Sequence, residues 1–166
     1  APDSWDSLLN HLKEKGADEK LIEQSGLVSV NEEKDRVFDR FRGRIMFPVL
    51  DVNGKPIAFG ARAMGSDEPK YLNSPETPLF NKSRSLYLLE KARETAGKTE
   101  TLIIVEGYFD AIALHQAGIT NVVATLGTAL TPDHIRIIRR YVTKAVLLFD
   151  PDEAGVRAAL RTLDLF

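Results

Sequence analysis

The chain has 166 residues, 43% of them hydrophobic and 28% charged, a composition that folds around a core and excludes a disordered or fibrous chain. At this length there is room for one ordinary domain or two small ones. The absence of cysteine excludes disulfides, thiolate zinc sites, iron–sulfur clusters and a thiol nucleophile. The three histidines, His11, His115 and His134, never fall at i, i+4, so metal chemistry would rest on carboxylates and a hard cation, magnesium or manganese. No apolar run approaches the roughly 18 residues of a membrane span, and no signal pattern opens the chain; the expected location is the cytoplasm. The net charge of −2 hides three blocks: residues 1–35 carry 4 Lys/Arg against 9 Asp/Glu, residues 36–93 carry 11 against 6, and residues 94–166 carry 7 against 9. The basic middle could attract a polyanion or be a solvated mixed-charge surface.

Taken in chain order, Trp5, Leu8, Leu9 and Leu12 recur at i, i+3, i+4 and i+7 and predict an amphipathic helix stopped by Gly16. A second short helix holds Leu21 and Ile22 and ends near Ser25-Gly26, before a polar connection from Asn31 to Asp35. Two β segments, Arg44 to Leu50 and Pro56 to Ala61, are joined through Asn53-Gly54, a dipeptide suited to a hairpin turn. Residues 65–85, interrupted by Pro69, Pro75 and Pro78, read as loop with a short strand at Lys70 to Asn73. Leu88 to Ala96 reads as helix. After Gly97 the pattern becomes strand, helix, strand, helix, strand, helix, with strands at Leu102 to Val105, Asn121 to Leu126 and Ala145 to Phe149 and helices at Phe109 to Ala117, Pro132 to Tyr141 and from Glu153. Apolar runs without alternation are what strands buried on both faces require, which favours a parallel sheet with right-handed crossovers. The expected fold is α/β: an N-terminal α+β subdomain with an antiparallel hairpin, residues 1–97, then a parallel α/β unit, residues 98–166. Leu163, Leu165 and Phe166 leave the last helix apolar where the chain stops, and the chain reads as a fragment of a longer protein.

Ligand sites in open parallel sheets form beyond the carboxyl ends of the strands. LIIVEGYFD places Glu106 at a strand tip and Asp110 four residues on, and AVLLFDPDEAG places Asp150 and Asp152 at another tip around Pro151. A lone acid in such a place commonly caps the next helix, and Asp152 fits that role too. Four converging carboxylates would instead repel by about 3 kcal/mol per pair at 5 Å and an effective dielectric of 20, and would call for a cation. Magnesium held by such a cluster serves phosphoryl transfer. Gly107 would allow a close turn with room for a phosphate.

A strand ending in Glu-Gly, followed by helix, strand, helix and a strand ending in Asp-x-Asp, resembles the TOPRIM fold shared by bacterial primases, type IA and type II topoisomerases and some nucleases. RFRGRIMFPVLDVNGKPIAFGAR at 40–62, PKYLNSPETPLFNKSRSLYLL at 69–89, VEGYFDAIALHQAGI at 105–119 and VATLGTALTPDHI at 123–135 resemble the catalytic core of bacterial replicative DNA primase, the DnaG type, over nearly the whole chain. Pro151 stands where that family usually has glycine. The resemblance implies a DNA-dependent RNA polymerase that makes short primers on single-stranded DNA from ribonucleoside triphosphates, in the bacterial nucleoid and replisome. It implies magnesium or manganese held by Glu106, Asp110, Asp150 and Asp152, with Glu106, Asp150 and Asp152 catalytic. It assigns template and nucleotide binding to Arg42, Arg44, Arg62, Lys70, Tyr71, Asn73, Ser74 and Lys82. Further acids from a downstream helical segment, zinc in an N-terminal domain and the replicative helicase as partner of a C-terminal domain are implied for segments outside this sequence. Another TOPRIM nuclease or topoisomerase, a haloacid-dehalogenase-type phosphatase and a template-binding module inactive as a fragment are the alternatives. His115 and His134 read as structural.

Overall fold

The computed structural model describes all residues except Glu32, Lys34, Asp35 and Phe166; most of the predicted polar connection from Asn31 to Asp35 thus lies outside the described residues. The chain divides into two compact units. The first comprises Ala1–Pro48 with Ile57–Phe80, the second Val49–Pro56 with Asn81–Phe166.

In the first unit the predicted helices are α1 (Ser7–Glu14) and α2 (Glu19–Gln24). The periodicity that counted Trp5 on the face of α1 is corrected: the helix begins at Ser7, and Trp5 lies outside it and is 52% exposed. What starts α1 is remote in sequence. The buried carboxylate of Asp39 accepts hydrogen bonds from the Leu8 and Leu9 backbone N–H groups at 2.7 and 2.9 Å, satisfying two of the unpaired donors of a helix N-terminus. Asp39 belongs to a hairpin that periodicity missed, β1 (Val28–Asn31) paired antiparallel with β2 (Arg36–Asp39). Its four-residue strands carry too short an alternation to signal themselves. Leu9, Ile22 and Val28 form a small core under this layer.

The predicted antiparallel block is a three-stranded sheet of β3 (Arg44–Leu50), β4 (Pro56–Ala63) and β5 (Tyr71–Asn73), with β4 in the middle. The connection from β3 to β4 is a five-residue loop. Asp51 Oδ1 accepts from the backbone N–H groups of Asn53 and Lys55, and Gly54 alone takes a positive φ, 81°, which a residue with a Cβ adopts at a cost.

In the second unit a short 3-10 turn at Lys82–Arg84 precedes α3 (Leu89–Thr99), and then the predicted alternation appears: β6 (Thr101–Val105), α4 (Tyr108–Gln116), β7 (Val122–Ala124), α5 (Pro132–Ile138), β8 (Lys144–Leu147) and α6 (Glu153–Leu163). The strands are parallel in the order β7-β6-β8. Leu102 and Ile104 of β6 and Val123 of β7 are shielded by Leu89, Ala92 and Ala96 of α3 and by Ile135, Ile138 and Val142 around α5. Gly97, expected to end α3, lies within it, since one glycine costs a helix only about 1 kcal/mol against alanine. Full burial of the third strand is also corrected. β8 is an edge strand with Val146 38% exposed, and Leu148 just past its end is 53% exposed.

His134 is structural, as expected. Its Nδ1 accepts from the Thr131 backbone N–H, and its Nε2 faces the Lys82 and Ser85 carbonyls at 2.9 and 3.2 Å, so Nε2 carries the proton and ties the 3-10 segment to α5. Burial is the main influence on its titration and pulls the imidazole below its ordinary 6.5, against those carbonyls and Asp133.

Glu100, exposed at the C-cap of α3, has a positive φ of 51°, so Glu100→Gly should raise stability by about 0.5–1 kcal/mol, read as a higher urea midpoint at unchanged slope. His134 is lowered in the folded state, so below 6.5 the unfolded chain takes up a proton that the folded chain refuses. Stability should therefore fall as pH drops through 6.5, and denaturation of His134→Gln at neutral and mildly acidic pH should show a smaller drop than the parent.

Candidate active site

Parallel pairing of β6 with β8 in the register Ile103↔Val146 and Ile104↔Leu147 carries the two acidic strand extensions out of the same edge of the sheet. They meet there: the Asp150 backbone N–H donates to Glu106 Oε1 at 3.1 Å. Glu106 is half-buried and Asp150 exposed. The chain must turn sharply after Asp150. A Cβ on Gly155 would lie 2.1 Å from the Asp150 carbonyl oxygen and 3.0 Å from its carbon, a clash of backbone with backbone, so only glycine lets α6 start this close to the acidic loop.

The other two predicted acids each serve a helix. Asp152 is the N-cap of α6, and its Oδ1 accepts from the Gly155 N–H at 2.7 Å. Asp110 reaches back from the first turn of α4 to the Gly107 N–H with Oδ2 at 3.1 Å. Gly107 takes an ordinary negative φ of −121°; its use is the missing Cβ, which would sit 2.8 Å from Asp110 Oδ2. Among the described residues no three Asp, Glu or His side chains gather as a metal-binding group. The donor set nonetheless suits a hard cation. Glu106, Asp110 and Asp152 each bind a backbone N–H through one carboxylate oxygen, leaving the second oxygen of each for another partner, and Asp150 makes no side-chain hydrogen bond or ion pair among the described residues.

Two tyrosines of this unit, Tyr87 and Tyr108, stack edge to face at 4.7 Å. Burial raises the pKa of both phenols, Tyr108 most strongly, with Glu90 adding to the effect on Tyr87 and Tyr87 to that on Tyr108. Neither is poised as a phenolate nucleophile of the kind a topoisomerase needs.

The basic residues of the first unit divide by role. Arg44 is buried and donates to the Pro69 carbonyl at 2.7 Å, and buried Ser74 pairs with the Phe59 backbone through its Oγ and its N–H; both serve the fold in this structure. Arg62 and Tyr71 are direct cross-strand partners in β4 and β5, with the guanidinium 5.7 Å from the ring centre. Asn73, paired with Gly60, falls on the same sheet face two residues on, where glycine opposes it with no side chain. Lys70 is exposed beside them. Lys82 belongs to the second unit, where its carbonyl faces His134.

Arg42 is held by a group that sequence reasoning placed elsewhere. Its guanidinium lies 4.1 Å from the Trp5 ring centre and 5.3 Å from that of Phe38, while Arg36 approaches Trp5 at 4.9 Å. Arg40, unnamed in the sequence reading, donates twice to the Asn73 carbonyl. Trp5, Arg40, Arg42 and Arg44 line a groove of about 340 Å³ with Asp67 and Glu68. The signal available in sequence was the spacing of Arg40, Arg42 and Arg44 along an extended segment; Trp5 is 35 residues away from the first of them, and only the fold brings it there.

Comparison with known proteins accounts for both units. Residues 1–93 match the family described as DNA primase catalytic core, N-terminal domain, and residues 100–166 match the Toprim domain. The chain is 48% identical over 165 residues to a DNA primase of Deinococcus radiodurans, covering 99% of this chain and 29% of the relative, and 48% identical over 164 residues to one of Pseudomonas putida, covering 99% and 25%. A crystal structure of a DNA primase domain from Pseudomonas aeruginosa superposes with a TM-score of 0.92 at 48% identity over 99% of this chain and 51% of that one. A DnaG primase catalytic domain bound to ssDNA gives 0.87 at 42% identity, with the same coverage. The chain thus spans little more than a quarter of these curated relatives and about half of these solved structures. Two matched regions in this order, over an antiparallel first unit and a parallel second one, make this chain a member of the bacterial DNA primase family, carrying the N-terminal part of its catalytic core and a Toprim domain.

Proposed function

We propose that this chain is the part of a DNA primase that holds single-stranded template and carries the carboxylates for nucleotidyl transfer. In this reading residues 1–97 handle nucleic acid and residues 98–166 carry the chemistry. The observation that supports it most is the 3.1 Å hydrogen bond between Glu106 and Asp150, which makes one edge out of two acids 44 residues apart. The primer 3′-hydroxyl attacks the α-phosphate of an incoming ribonucleotide and pyrophosphate leaves. Glu106, Asp150 and Asp152, with Asp110, would hold magnesium or manganese, and that ion would supply charge to offset the negative charge developing on the phosphoryl group. Glu106, which accepts from the Asp150 N–H, would serve either as a ligand of the metal or as the general acid/base for the hydroxyl proton. Because the capped acids keep their helix contacts through one oxygen, the site is positioned before substrate arrives.

Template binding in this reading belongs to the first unit. The Arg36–Trp5–Arg42 stack and the Arg62–Tyr71 pair alternate cation with aromatic face, the combination that takes backbone phosphates and stacks bases without selecting sequence. Lys70, Asn73 and Ser74 continue that segment along the chain, buried Arg44 holds the Pro69 carbonyl just before it, and Lys82 contributes to nucleotide handling.

In the intact enzyme, Asp150→Asn should reduce primer synthesis at least about a hundredfold, as loss of a central charge-stabilising group does, while affinity for single-stranded DNA changes less than about twofold; wild-type primer yield would reject the assignment. For the first unit, Trp5→Ala should weaken single-stranded DNA binding by about 1–3 kcal/mol, and Arg42→Gln should also flatten the slope of log affinity against log salt by about 0.7. Fluorescence anisotropy over a salt series measures both.

A further inference from the structure

Where the chain enters α3 it reads Tyr87, Leu88, Leu89, Glu90, and two of these residues are held in states that cost free energy. Leu88, the N-cap of α3, takes a φ of 64° and a ψ of 17°, the left-handed region that a residue with a Cβ enters only under constraint. Glu90 stands in the first turn of α3 with Oε2 shut off from solvent and without a hydrogen-bond partner among the described residues, a poor place for a charge. Backbone strain beside a buried unsatisfied group marks a segment whose conformation is imposed by something other than its own stability.

What the strain achieves is the placement of Tyr87. Its N–H donates to the Ala124 carbonyl at 2.9 Å, and its carbonyl accepts from the Ala124 N–H at 3.2 Å, which fastens the residue to β7 as an antiparallel bridge. The left-handed turn at Leu88 lets the chain leave that bridge and enter α3 at once. Tyr87 is buried, and its ring meets that of buried Tyr108 edge to face at 4.7 Å, a contact that adds to the burial of both rings. Tyr108 is the first residue of α4, with Glu106 and Gly107 before it and Asp110 two residues after it. The start of α4 is therefore fixed twice, by the Asp110–Gly107 hydrogen bond and by an aromatic contact anchored on β7.

Glu90 lies within electrostatic reach of this stack. The ionisable groups around it are Tyr87, with Tyr108 beyond it, Lys91 and Arg93 of its own helix, and His115 of α4. The strands on which α3 packs, β6 and β7, carry only Thr, Leu, Ile, Val and Ala. Burial raises the Glu90 pKa above its ordinary 4.5, against the pull of its own backbone N–H and of the three basic groups. Ionisation places charge on an oxygen that meets neither water nor a donor. Turning the side chain outward relieves this and removes packing beside Tyr87.

We propose that Tyr87 is a positioning residue for the acidic edge, holding the first turn of α4 through its contact with Tyr108, and that the buried carboxyl group of Glu90 makes this hold depend on pH. While Glu90 is the neutral acid the stack is closed; as pH rises and Glu90 ionises, the hold on Gly107 and Asp110 loosens. The consequence for catalysis rests on the reading of Glu106 and Asp110 as active-site groups. The coupling from Glu90 through Tyr87 to Gly107 does not.

The test is an NMR titration of the 166-residue protein from mildly acidic to neutral pH. The Gly107 amide and the ring protons of Tyr87 and Tyr108 should shift in one phase that follows the Glu90 carboxyl carbon, centred above 4.5. Glu90→Gln should remove that phase and leave any that Asp110 imposes on Gly107, whereas His115→Gln should keep it. In the intact enzyme, Tyr87→Leu should lower kcat for primer synthesis at least about tenfold, as misplacement of reacting groups does, with KM for ribonucleotides changed less than about twofold. Tyr87→Phe, which keeps the ring, should restore kcat. Should Tyr87→Leu fail to fold, the comparison of the parent with Glu90→Gln decides alone. A phase that survives Glu90→Gln, no common phase in the parent, or parental kcat in a folded Tyr87→Leu enzyme would overturn the proposal. If the titration behaves as expected while Asp150→Asn keeps wild-type primer yield, the coupling stands and the assignment of the edge to catalysis falls.

Discussion

The pairing of β6 with β8 is the constraint on which the rest of this molecule depends. Neighbouring parallel strands run about 4.8 Å apart, so two carboxylates carried just past their ends are brought together whatever their separation in sequence. At that spacing two carboxylates repel, and the fold answers locally. The Asp150 N–H points at Glu106 Oε1, placing a backbone dipole where the repulsion would be felt. Gly155 removes the one atom that would force the loop open. A register shift of one residue along β8 would replace this arrangement by one in which Phe149 reached the edge instead.

Carboxylates in this chain repeatedly do two jobs. Asp152 and Asp110 satisfy N–H groups at the starts of α6 and α4, and Asp39 does the same for α1 from a strand. Such caps contribute about 1 kcal/mol each and fix the rotamer of the acid that makes them. For Asp39, which is buried, this is the whole function. For Asp110 and Asp152, which are exposed, it means that one carboxylate oxygen is fixed on a backbone N–H while the other stays available to a further partner. Capping and catalysis, which in sequence look like rival explanations for an acid at a strand tip, are compatible because a carboxylate has two oxygens.

Much of this was legible in the residues themselves. The alternation after α3 gives the parallel unit because buried parallel strands need uninterrupted Val, Ile and Leu, and Glu106 and Asp150 stand out because they end such runs. The sequence order of those runs is not their spatial order, however, and β8 proved to be an edge whose Val146 and Leu148 are open. The short strands β1 and β2 were illegible because four residues hold too little alternation to exceed chance. Trp5 misled for a different reason: an aromatic at helical spacing before three leucines has the period of a core face, yet its partners Arg36 and Phe38 come from β2 and Arg42 from the connection after it. Contacts of that kind belong to tertiary structure, and no local pattern encodes them. Arg44 shows the converse. An arginine alternating with apolar residues looks like a solvated strand face, but this one is buried because the Pro69 carbonyl needs a donor.

The separation of charge along the chain acquires a physical reason from these two surfaces. An edge built from Glu106, Asp150 and Asp152 repels a phosphate backbone and cannot itself supply affinity for a polyanion. Any such affinity has to come from cations placed elsewhere, and the surplus of five positive charges lies between residues 36 and 93, with Arg42 and Arg62 held over aromatic rings, an arrangement that leaves these side chains little freedom. The two requirements also respond differently to salt. Phosphate contacts on an exposed surface weaken as counterions are added, whereas a half-buried carboxylate steadied by a backbone N–H at 3.1 Å is screened far less. A surface that attracts a polyanion and an acidic edge therefore draw on electrostatics of opposite sign and unequal range, a physical reason for the two to lie in separate stretches of the chain.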